Sequence, residues 1–152
     1  MSTILALLVV FGMVLGAGGV VAVSRNRRRA RAATVPQGET LLREARDCGS
    51  RVFVSSDVIG GPSADKINRS PADLVLTDKR LLVATRHGRV LEITAGSGGS
   101  VRCTGPRRLV IEGERPQKDG VMHVRAELIV PDAEVWAALA SEQLQTEARA
   151  RR

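Results

Sequence analysis

Apolar positions change their spacing twice along the chain, and each change marks a boundary. Residues 4–23, ILALLVVFGMVLGAGGVVAV, contain no charged side chain. At a helical rise of about 1.5 Å per residue such a run reaches roughly 30 Å, the thickness of a bilayer's hydrocarbon core. The pattern predicts one transmembrane helix over residues 4–23. Residues 24–38 then read as a basic juxtamembrane linker ending in Pro36-Gln37-Gly38, which is unsuited to continue a helix. Thr40 stands where it would cap a short helix within residues 39–50, with Leu41, Leu42, Ala45 and Cys48 on one face and Gly49 as the stop.

From Arg51 the apolar period falls to two. Strands are predicted over residues 51–55, 73–77, 80–85, 89–93, 101–104, 107–112 and 121–130. Between them lie turn signals at Asp78-Lys79, His87-Gly88, the glycine-serine run from Gly96 to Ser100, and Lys118-Asp119-Gly120. Beyond Asp132, a candidate cap, the period becomes helical, with Val135, Trp136, Leu139, Ala140 and Leu144 as the apolar stripe. The expected fold class is mainly β: a transmembrane helix, then a small antiparallel barrel or sandwich over residues 51–145 closed by a C-terminal amphipathic helix. A basic tail, residues 146–152, follows.

Charge sharpens this division. The net charge is +7, but residues 1–33 hold five arginines and no acid, so the remaining segment has 18 basic against 16 acidic side chains. A nearly neutral domain with no Tyr, two Phe and one Trp lacks the basic surface and stacking platforms of a nucleic-acid binder. Arg25, Arg27, Arg28, Arg29 and Arg31 instead follow the apolar run directly, while only Met1, Ser2 and Thr3 precede it. Cations next to a span stay cytoplasmic and attract anionic headgroups, so these arginines are candidate membrane-surface residues. The expected location is a single-pass inner membrane protein with its amino terminus outside and its domain cytoplasmic. A cleaved signal ending near Ala22-Val23-Ser24 would make the domain secreted, but its basic segment would then lie on the wrong side. Gly12 and Gly16, four residues apart, share a helix face and are the candidates for helix–helix contact and self-association. Twenty Arg against three Lys suggests a GC-rich bacterial coding bias.

Candidate chemistry is sparse. Cys48, His87, Cys103 and His123 are too widely spaced for the close ligand pairs of a zinc site, so no metal or cofactor is expected. A reducing compartment would leave both thiols free. The run Gly96 to Ser100 lacks the following Gly-Lys-Ser/Thr of a phosphate loop. Neither His carries a pattern marking a nucleophile and base, so no catalytic residue is proposed. Trp136, on the apolar stripe, is expected in the core.

The segment Leu76-Thr77-Asp78-Lys79-Arg80-Leu81-Leu82-Val83 resembles the strand-turn-strand of bacterial PH-like and GRAM-like domains, and Gly88 to Ile93 and the Trp on the last helix fit that group. The resemblance implies a non-catalytic interaction or scaffolding module, anchored in the bilayer and engaging a membrane-associated protein. In eukaryotic PH domains a basic cluster in the loop joining the first two strands often grips phosphoinositides. Here Lys66 and Arg69 are opposed by Asp57 and Asp65, so that site is not carried over. An anionic-lipid-sensing module is the alternative, with Arg102, Arg107 and Arg108 as its expected basic residues.

Overall fold

The computed structural model describes residues 33–58, 66–117 and 120–150. Among the described residues there are eight strands: β1 (Leu41–Val58), β2 (Lys66–Arg69), β3 (Ala72–Thr77), β4 (Arg80–Thr85), β5 (Gly88–Thr94), β6 (Ser100–Gly105), β7 (Arg108–Gln117) and β8 (Gly120–Ile129). One helix, α1 (Ala133–Ala150), follows them. All pairings are antiparallel, in the order β5-β4-β3-β1-β8-β7-β6, with β2 added to β1.

This arrangement corrects the expected fold class. The sheet is open, with β5 and β6 as its two ends, rather than a closed barrel. Among the described residues no helix is long and apolar enough to cross a membrane. Residues 4–23, where the transmembrane helix was expected, lie outside them, as do Gly12, Gly16 and the arginines at 25, 27, 28, 29 and 31.

The short helix expected within residues 39–50 is also absent, because this stretch is the first half of β1. Leu41, Leu42, Ala45 and Cys48 fit a helical stripe, yet a strand over residues 41–48 finds a ladder on β3, with register shifts after Leu41 and after Ala45. Three turns of isolated helix are marginal in water, so tertiary pairing decides. Leu41 and Leu42 remain exposed, and only the later positions reach the core.

β1 serves both halves of the sheet. Its first part pairs with β3, then a register shift between Ala45 and Cys48, with Asp47 at a φ of 54°, redirects the strand. From Gly49 onward it pairs with β8. The buried Asp73 carboxylate holds this bulge, accepting from the Asp47 amide at 3.0 Å and lying 3.4 Å from Arg46 Nη1. A left-handed residue in a strand is costly for a side chain other than Gly, Asn or Asp, and here a carboxylate bond offsets part of that cost.

The main core lies between the two halves and α1, and includes Leu74, Leu76, Leu81, Val83, Ile93, Ile111, Ala126, Leu128 and Trp136. The halves meet closely where β7 places Gly113 against β5. A Cβ there would stand 2.9 Å from Leu91 Cδ1, so a side chain at this position would require Leu91 to move. β3 and β4 are buried on both faces, which explains their continuous apolar runs. Val75, Leu82 and Ala84 form a second cluster on the far face with Ala33 and Val35. The segment from residue 33 is therefore packed on the sheet, and the free linker expected over residues 24–38 is shortened at its carboxyl end.

α1 starts as the spacing predicts, with the Trp136 amide bonded to the Asp132 carbonyl at 3.1 Å. The Asp132 carboxylate turns away to Arg43 Nη2, at 3.5 Å. Ala133, Trp136 and Ala140 are buried, with Leu144 packed beside them, whereas Val135 and Leu139 are exposed. The apolar stripe is thus rotated from the predicted one. Trp136 is 1% exposed, and the Arg43 guanidinium sits 5.2 Å from its ring centroid.

Candidate functional site

The family-like hairpin motif turns out to be a clamp. Its turn residues Thr77, Asp78, Lys79 and Arg80 join the incoming segment, β5 and α1. The Thr77 hydroxyl lies 2.8 Å from Glu39 Oε2 and accepts from the amides of Lys79 and Arg80 at 3.2 and 3.1 Å. Asp78 exchanges two bonds with Thr40: its amide donates to the Thr40 carbonyl, and its Oδ1 accepts from the Thr40 amide. Gln143 Nε2, from α1, donates to the Asp78 carbonyl at 2.5 Å. Arg80 reaches Glu39, whose side chain is only 3% exposed, at 2.5 Å, and also pairs with Glu92 on β5. Burial alone would lower the Arg80 pKa, but hydrogen bonds to Glu92 and Glu39 outweigh it and hold the guanidinium above its ordinary value. Arg80 is charge-paired on two sides, Asp78 is bonded to Thr40, and Lys79 Nζ donates to the Gly38 carbonyl at 3.2 Å, so the motif fastens the incoming segment to β5 and α1.

A different electrostatic situation exists on the outer face of β2, β1, β8 and β7. Residues two apart on a strand share a face, and the register carries that face across neighbouring strands. Arg69 stands opposite Arg51, Arg51 opposite Glu127, and one step along Gly49 and Arg108 flank Ile129. These residues line a cleft of about 250 Å³. Ile129 forms part of it and is 56% exposed, because Gly49 opposite it offers no side chain. Nearby, Glu112 is already engaged by Arg102 at 2.7 Å, and Glu127 by Arg125 at 2.8 Å. Arg125 also lies 5.9 Å from the Phe53 ring centroid. Among the described residues Arg51, Arg69 and Arg108 have no carboxylate partner.

The basic residues expected for a lipid-sensing module are thereby redistributed. Arg102 is paired off, Arg107 lies in the β6–β7 turn, and Arg108 alone of the three reaches the cleft. Arg69, set aside with Lys66 as a weak loop cluster, sits at the end of a short strand beside Arg51. A register that pairs residue 51 with residue 69 leaves no local signal in the sequence.

The four candidate metal ligands are separated by the fold. Cys48 is buried, Cys103 half-buried, and both are free thiols. Burial, with the Asp73 charge second, pushes the Cys48 thiol up to about 11. His87 occupies an exposed turn beside Arg86, and His123 lies 3.5 Å from Glu114 on the outer face. Among the described residues no three His, Cys, Asp or Glu side chains are grouped to hold a metal ion.

Compared with known protein families and with curated proteins, the chain matches none.

Proposed function

We propose that the chain is a non-catalytic interaction module held at the cytoplasmic face of a membrane by its apolar and basic amino-terminal segment. The carrying observation is the division of the sequence: residues 4–23 without a charge, five arginines by residue 31, and then a nearly neutral β domain. The packing of Ala33 and Val35 on the sheet adds a geometric consequence. Only about nine residues separate the apolar run from the folded domain, a reach of about 17 Å if flexible. A module so close to the bilayer meets membrane partners at a high effective concentration, and modest affinity suffices. Of the two end strands of the sheet, β6 packs against α1, whereas β5 pairs among the described residues with β4 alone and offers an edge suited to such a partner. The hairpin's resemblance to bacterial PH-like modules supports the same reading.

Fractionation tests it. The full chain is expected in the membrane pellet after a carbonate wash, and a chain beginning at residue 33 in the supernatant. A full chain that stays soluble without detergent overturns the anchoring, and a reporter fused after residue 152 that is active only outside the cytoplasm overturns the topology.

A further inference from the structure

We propose that the cleft formed by Arg51, Arg69 and Arg108 binds a phosphate ester, with the guanidiniums on the phosphoryl oxygens and the adjoining carbon against Ile129. Three observations converge on this. First, Arg51 and Arg69 are direct cross-strand partners. Like charges so placed work against the sheet that holds them, and this fold answers nearly every other strand arginine with a carboxylate. An anion between the two would reverse the sign of the interaction.

Second, the cleft contains one carboxylate, Glu127, and that group is committed to Arg125. Among the described residues no carboxylate is bonded to Arg51, Arg69 or Arg108, all of which line the cleft. Planar, forked donors match the oxygens of a phosphoryl group, and two or three of them around one anion give geometric selection as well as charge. Third, the volume of about 250 Å³ accommodates a phosphoryl group and a short carbon chain, and Ile129 supplies an apolar wall for that chain. The residues come from four different strands, so the site exists only in the folded sheet. It is independent of the membrane reading.

The test is calorimetric titration of the full chain in phosphatidylcholine nanodiscs at low salt, with three probes: inorganic phosphate, glycerol phosphate, and vesicles of phosphatidylcholine with or without phosphatidylglycerol. Binding is expected, weakened about tenfold or more in the double variant Arg51→Gln/Arg69→Gln, since charge-assisted bonds are lost. Arg102→Gln, which touches a guanidinium already paired with Glu112, should leave affinity within about twofold. Near-ultraviolet circular dichroism checks that each variant is folded, and a single Arg108→Gln, on a separate strand, provides a second reading of the same cleft. A response to both soluble probes identifies a free phosphate ester as the ligand. A response restricted to vesicles containing phosphatidylglycerol identifies a lipid headgroup. No response to any probe, or equal weakening in Arg102→Gln, overturns the proposal.

Discussion

Two groups of arginines sit on the same sheet and are treated in opposite ways. At the β3–β4 turn, Arg80 is enclosed by Glu39 and Glu92, and each neighbouring polar group has a bond. On the outer face, Arg51 and Arg69 oppose each other and Arg108 stands beside them, with no carboxylate among the described residues committed to any of the three. Charge removed from water is tolerated only when paired, while charge left at the surface is held cheaply and stays available. A short motif that looks family-like thus marks where the domain is fastened, and dispersed arginines without a motif mark where it can receive something.

Substitutions should separate the two regions by size and by sign. Trp136→Ala sets the upper scale, with an expected loss of about 4 kcal/mol in denaturant unfolding, because it empties the core beneath α1 and removes the ring against which Arg43 lies. Arg80→Met should cost about 3 kcal/mol, since Glu39 would be left buried without its partner. If that loss falls below that of an ordinary surface pair, the clamp is not one.

Titration gives a third measure. The Cys48 thiol is raised from about 9 to about 11, so the folded state holds its proton where the unfolded state releases it. That contribution is whole below pH 9 and is lost as pH rises from about 9 to about 11, amounting to roughly 3 kcal/mol. Cys48→Ala should flatten the fall in stability over that window, measured as unfolding midpoints from pH 8 to pH 11. Asp78→Ala, which loses the bond from the Thr40 amide, should cost about 1 kcal/mol. Arg69→Gln should do the reverse and stabilise the chain by about 0.5 kcal/mol in phosphate-free buffer, by relieving its opposition to Arg51. A loss there would show that Arg69 serves the fold and would erase the contrast.

Much of the β domain was legible. The period-two runs and the turn residues Asp78, Gly88 and Gly120 place the strands they predict, because local alternation and turn chemistry act over a few residues. The same reasoning fails where distant pairing decides. Leu41 to Cys48 carry a helical spacing but are drawn into a strand by β3, and Lys66 to Arg69, read as loop, become a strand by lying along β1. Whether the sheet closes depends on how its ends meet, which no single run encodes. The clamp was visible as a motif although its purpose was not. The cleft was invisible, since its arginines are 18 and 39 positions from one another and meet only through register.

The long first strand carries a consequence for biosynthesis. Half of its ladder, from Gly49 onward, is completed by β8, which the ribosome makes last among the strands. During translation, residues 49–58 wait with one edge unsatisfied for some seventy residues of further synthesis, and pairings over such separations form slowly. A nascent chain stalled before Gly120 should therefore be protease-sensitive and prone to aggregate, and release of the final strand should convert it in a single step.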